Sequence, residues 1–193
     1  GMLQGGLGGS EQAVVHLTEN WANMGYKVGV FGNVHECNYN GVDYIHYTKF
    51  NFMAKYRIII AWRLMGFSIL SLFIENMSFE KLFLDIHDNT KTIQNFANMY
   101  NKHENRITNV MLKSEFNKKE FNLFCDCKDK GFVVPNGIRF NEFSNFSFLS
   151  YKRDKNKFIY ASCYTRGLDR ILKYIWPEII KQNYHRTIRN STK

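Results

Sequence analysis

The sequence predicts an α/β fold: a doubly wound parallel sheet with helices packed against it. Three observations carry that expectation. Short apolar strands alternate with helical patterns along most of the chain. Arg57-Ile58-Ile59-Ile60-Ala61-Trp62 holds an unbroken apolar run, as expected of a parallel strand covered on both faces. Gly5-Gly6-Leu7-Gly8-Gly9-Ser10-Glu11 opens a helical pattern, as a phosphate-binding loop does before its helix.

The elements follow in order. Ser10 has the chemistry of an N-cap, and Glu11 favours the positive end of the helix. Ala13, Val14, Leu17, Trp21 and Met24 recur near helical spacing, and Gly25 ends the helix. Tyr26–Phe31 and Val42–Tyr47 read as strands, followed by the strand ending at Trp62. Phe67–Ile74 is a short apolar helix, and Lys81–Ile86 a strand that runs into His87-Asp88. Thr92–Tyr100 is helical. Asn109–Leu112 is a strand before a helix capped by Ser114, and Gly131–Val134 is a strand stopped by Pro135-Asn136-Gly137. Residues 139–156 are polar and read as a linker. Lys157–Tyr160 then reads as a strand and Gly167–Gln182 as a helix, which Pro177 is expected to kink or end. The domain expectation is residues 1–138, a linker at 139–156, and the start of a second domain with a basic tail at 157–193.

Composition bounds the partners. The chain has 193 residues, 45% of them hydrophobic, which suits a folded core rather than disorder. Its 17 Phe and 11 Tyr accompany many Lys and Asn, a mixture that AT-rich coding produces without any nucleic-acid chemistry. Net charge is +9, and residues 151–193 carry +8 of it, with eleven basic and three acidic side chains. Such a segment suits phosphates or an anionic membrane surface, or is simply a solvated basic helix and tail. No nucleic-acid motif is present, so no specific nucleic acid is expected. Cys125 and Cys127 form C-x-C without a second pair or a histidine at zinc spacing, so no metal site is expected. With no signal peptide pattern and no apolar run of about 20 residues, the expected setting is the cytoplasm.

Four segments have the chemistry of a ligand site. The glycine loop lets backbone N–H groups approach an anion, or is only a flexible start. It lacks the third glycine of the dinucleotide fingerprint, because that position holds Glu11, so a nicotinamide enzyme is disfavoured. His87-Asp88 falls where a parallel strand ends, the usual ligand-binding edge of an α/β sheet, although a lone histidine is more often structural. Pro135-Asn136-Gly137-Ile138 is a tight turn. Arg166 stands between a strand and a helix, as a diphosphate clamp or as an ordinary surface arginine.

Taken in order, the set resembles the GT-B retaining glycosyltransferases of the glycosyltransferase family 4 type, as encoded by viruses or microbes. The matching pieces are Gly8-Gly9-Ser10-Glu11, Ala61-Trp62-Arg63, Leu84-Asp85-Ile86-His87-Asp88, Leu112-Lys113-Ser114-Glu115-Phe116, Val133-Val134-Pro135-Asn136-Gly137-Ile138, and Tyr160-Ala161-Ser162 through Arg166-Gly167-Leu168-Asp169. The resemblance implies two Rossmann-like domains, the first on the acceptor side and the second binding a nucleoside-diphosphate sugar. It implies that His87 is the catalytic residue facing the transferred sugar, and that Gly8, Gly9, Glu11, Asp88 and Arg166 bind substrate. No cofactor or metal is implied; the donor is a substrate, and the acceptor a hydroxyl of a glycan, lipid or protein.

The chain departs from the pattern in three places. No strand precedes Gly5, Tyr160–Thr165 holds no arginine, and Asp169 and Glu178 are the only acids after Arg166, too few for the family's late acidic motif. The expectation is therefore a transferase truncated at both ends, with most of the donor domain absent. The alternative is a catalytically inactive binding module. In that reading an open sheet edge pairs with another chain, by self-association, and peripheral membrane contact is a further option.

Overall fold

The computed structural model describes residues 8–63, 67–87, 90–125, 127–137, 157–162 and 164–182. Expectations that rest on residues 1–7, Asp88, the 139–156 linker, Cys163 or the basic tail beyond residue 182 lie outside these. The chain divides into two compact units, Gly1–Phe143 and Ser144–Lys193.

The first unit is α/β. Helix α1 (Gly9–Asn23) leads into strands β1 (Val28–Gly32), β2 (Cys37–Tyr39) and β3 (Val42–His46). Strand β4 (Lys55–Trp62), helix α2 (Phe67–Asn76), β5 (Ser78–Ile86), α3 (Thr90–His103), β6 (Asn109–Leu112), α4 (Glu115–Asn122) and β7 (Gly131–Val133) then alternate. The strands form two sheets. One has the order β1-β3-β2, with β1 parallel and β2 antiparallel to β3. The other is all parallel, in the order β4-β5-β6-β7. In a parallel sheet of sequential order, crossovers of one hand place their helices on one face; here α3 touches both α2 and α4, and all three helices share one buried cluster with the sheet.

That face holds the core. Leu82, Leu84, Val110 and Leu112 of the sheet are fully buried against Ile74, Phe96, Tyr100 and Phe121 of the helices. Each such side chain contributes about 1.5–3 kcal/mol by leaving water. Cys125 and Cys127 are buried in the same cluster, and the Cys127 thiol donates to Asn122 Oδ1 over 3.2 Å. A Cβ on Gly131 would collide with Cys127 Sγ, so β7 passes close to that thiol because position 131 has no side chain. Aromatic rings link the smaller sheet to β4 and α2. Phe50 meets Phe31 at 4.9 Å and stacks on Tyr56 at 5.2 Å, while Phe52 stacks on Phe73 at 4.9 Å.

Several expectations are corrected. Gly8, not Ser10, is the N-cap of α1; Ser10 sits inside the helix and its hydroxyl donates to Glu11 Oε2 at 3.0 Å. The run Arg57–Trp62 is not covered on both faces. Among the described residues β4 pairs only with β5, which makes it an edge, and Ile58 is 47% exposed. Strand β2 was not foreseen. It joins β3 through Asn40-Gly41, both at positive φ (50° and 79°), as a two-residue hairpin turn requires. By contrast, Ser114 caps α4 as expected, accepting from Asn117 N at 3.1 Å.

In the second unit Lys157–Tyr160 is irregular rather than a strand. Gly167, at φ 97°, precedes helix α5 (Leu168–Arg170), which widens into a π-helical turn at Ile171–Ile175 and continues through 176–182. Pro177 therefore does not end the helix. The wider turn ahead of it relieves the clash of its ring with the preceding turn's carbonyl and accommodates the missing N–H.

Candidate functional site

The parallel register decides which side chains meet at the carboxyl edge of the four-stranded sheet. Trp62 pairs with Asp85 across β4 and β5, and Ile86 with Leu112 across β5 and β6. His87 and Lys113 are thus each one residue past a paired position, where the strands open into loops. Four polar groups converge as a result: Trp62, Asp85, His87 and Lys113.

Their geometry is tight. The Trp62 indole N–H donates to His87 Nε2 over 3.1 Å, and the two rings stand edge to face with centroids 5.8 Å apart. Asp85 Oδ2 lies 3.3 Å from the same His87 nitrogen. Asp85 Oδ1 lies 2.6 Å from Lys113 Nζ, a close ion pair not angled as a regular hydrogen bond. The side chains of His87 and Asp85 are each 8% exposed and that of Lys113 19%. Burial pushes the Asp85 carboxyl up, but the adjoining His87 ring and the Lys113 ammonium outweigh it and hold the group below 3.8. The polar contacts of His87 use Nε2; Nδ1 has no hydrogen-bond partner among the described residues.

A second cluster sits at the start of α1. Arg63 adopts a left-handed backbone (φ 48°) just past β4, and its N–H donates to Asp85 O over 3.1 Å. A side chain at positive φ outside glycine is strained and is held by such contacts. Its guanidinium pairs with Glu11 Oε1 at 3.2 Å and lies 5.9 Å from the Trp62 ring centre. The Glu11 carboxylate folds back over the helix terminus. Its own backbone N–H lowers it most, burial opposes this, and the Ser10 hydroxyl and Arg63 add to the lowering, so that the carboxyl is held below 4.5. A Cβ on Gly8 would collide with that carboxylate, whereas Gly9 has open space. The positive end of α1 therefore already carries an anion, which an incoming phosphate has to displace.

Of the expected site residues, the structure brings His87 to the carboxyl edge and Gly8, Gly9 and Glu11 to the start of α1, tied to the end of β4 by Arg63. Asp88 lies outside the described residues. Arg166 belongs to the second unit, where it is exposed in the turn before α5. Asp85, Lys113, Trp62 and Arg63 were not foreseen as site residues. The signal for them was the strand register, since each sits at or one past a strand end next to His87.

Two other features have weaker chemistry. A cavity of about 460 Å³ is lined by Phe52, Met53, Leu72, Phe73 and Asn76, and offers one polar side chain to orient a ligand. His103 Nε2 lies 2.6 Å from Ser71 Oγ and 3.7 Å from Glu75 Oε1. Both partners use one ring nitrogen, so this is not a relay in which a carboxylate orients a base from its far side. Among the described residues no group of three His, Cys, Asp or Glu side chains is placed to hold a metal ion, and no helix is long and apolar enough to cross a membrane.

No protein-family model matches the chain, and no curated protein or solved structure matches it either.

Proposed function

We propose that the chain is a glycosyltransferase of the GT-B type, or a piece of one, that moves a sugar from a nucleoside-diphosphate sugar to an acceptor hydroxyl. The observation that carries this reading is the cluster of Trp62, Asp85, His87 and Lys113 at the carboxyl ends of adjacent parallel strands. Ligands of open α/β sheets bind at that edge. His87 with an unengaged Nδ1 suits contact with a sugar oxygen. Gly8 and Gly9 at a helix start suit a diphosphate, once Glu11 yields its place. Arg166, exposed before a helix of the second unit, has the chemistry of a diphosphate ligand, and that unit is the start of a donor-binding domain in this reading. Catalysis then rests on positioning and on stabilising the leaving diphosphate. Buried thiols at Cys125 and Cys127 suit a cytoplasmic setting.

Calorimetry of uridine and guanosine diphosphates at two salt concentrations tests the donor half. Saturable binding that survives higher salt and falls at least about tenfold in Arg166→Ala supports the reading, since one charged hydrogen bond is worth about 1.5–3 kcal/mol. Binding unchanged in that variant, or none at all, overturns the donor assignment.

A second reading, a non-catalytic module that pairs with another copy, is favoured by one observation. Among the described residues β4 is an apolar edge with no strand beyond it. Sedimentation that shows only the monomer mass at high concentration removes it; association abolished by Ile58→Lys supports it.

A further inference from the structure

We infer that Trp62 is a positioning residue that fixes the tautomer of His87, so that His87 meets its ligand as an Nδ1–H donor and not as a base. The inference deepens the transferase reading of this site, but its geometry does not depend on that reading.

The argument starts from one crowded atom. His87 Nε2 has the Trp62 indole nitrogen at 3.1 Å and Asp85 Oδ2 at 3.3 Å. Indole is a donor and cannot accept, and carboxylate is an acceptor and cannot donate. The nitrogen satisfies Trp62 only when it carries a lone pair, and Asp85 only when it carries a hydrogen. Were Nε2 protonated, the indole hydrogen 3.1 Å away would have no lone pair to meet. Asp85 is the weaker claimant because Lys113 Nζ, 2.6 Å from its other oxygen, already neutralises much of its charge. A neutral ring with a lone pair on Nε2 carries its hydrogen on Nδ1. Nδ1 is the nitrogen without a partner among the described residues.

Two consequences follow. Nδ1, the nitrogen without a partner among the described residues, donates, so the matching ligand group is an oxygen acceptor: a sugar hydroxyl or a phosphate oxygen. Protonating the ring adds a hydrogen at Nε2, toward Asp85, and leaves Nδ1–H in place. His87 therefore offers no lone pair to a substrate proton in either state while Trp62 holds its position. Without the indole, the ring reverts to the arrangement Asp85 favours, with hydrogen on Nε2 and a lone pair on Nδ1.

The test is long-range ¹H–¹⁵N correlation on ¹⁵N-labelled chain without nucleotide, recorded where the ¹⁵N shifts report a neutral ring. His87 is assigned by the signal lost in His87→Gln. The expected pattern is a protonated Nδ1 and an unprotonated Nε2, reversed in Trp62→Phe. Asp85→Asn, which keeps the indole, is expected to retain the wild-type pattern and covers the case where Trp62→Phe fails to fold. A protonated Nε2 in the wild type overturns the inference, as does a tautomer that changes in Asp85→Asn. Nucleotide is absent from this experiment. Failure of the tautomer assignment is therefore distinct from failure of the transferase reading, which the diphosphate titration reports.

Discussion

At the scale of single residues, the site depends on charges that balance only in company. Asp85 and Lys113 are mostly covered, and removing either leaves the other without its partner. Lys113→Met is expected to destabilise the first unit by about 3 kcal/mol, read as a lower urea midpoint with unchanged slope. A variant as stable as the wild type would mean that the pair is solvated and adds nothing. The sign of the Asp85 contribution follows from its folded value lying below 3.8: its stabilisation is complete above that pH and is lost as pH falls through the folded value. These residues were only half legible in the sequence. His87 announced itself as a polar residue at the end of an apolar strand. Asp85 did not, because a lone acid inside a strand has no local signature, and Lys113 reads as an ordinary lysine before an N-cap. What joins them is the β5–β6 register, a long-range fact that no window of sequence contains.

At the scale of elements, the α2–α3 contact contains a titratable lock. His103 is nearly buried beside Ser71, and burial first, then the Lys102 charge, pulls its ring below 6.5; Glu75 opposes this and Arg106 adds to it. The unfolded chain thus binds a proton more readily than the folded one. Stability is expected to be intact above pH 6.5 and to decline as pH falls from there toward the folded value. Thermal melts across that range check it, and His103→Gln should flatten the decline. A wild-type curve that is already flat contradicts the assignment. The strands and helices themselves were mostly legible, because alternating apolar runs and the Ser114 cap are local signals. The misses have local causes too. Asn40-Gly41 was the mark of the β2–β3 hairpin, and the Ser10 cap was displaced because Gly8 takes the extended conformation two residues earlier. The strand expected at Lys157–Tyr160 had an apolar pattern but no described strand to pair with.

At the scale of the whole molecule, the chain divides into two units, and the expected ligand groups are shared between them: His87 and the α1 start in one, Arg166 in the other. The parallel sheet was legible from the alternation of elements. The exposed β4 edge was not, because an Ile-rich run has the same composition whether a neighbour covers it or not. The central claim is that the Trp62–His87 corner is where a nucleotide sugar binds. The most direct measurement is a titration of ¹⁵N-labelled chain with uridine diphosphate glucose and guanosine diphosphate mannose, followed at the Trp62 indole N–H. That signal is assigned by its loss in Trp62→Phe, with Trp21 and Trp176 as internal references. The account predicts that one of the two nucleotide sugars moves the Trp62 signal saturably below about 1 mM, and that His87→Ala weakens that response. A Trp62 signal that neither compound moves, or that moves no more than those of Trp21 and Trp176, would contradict it.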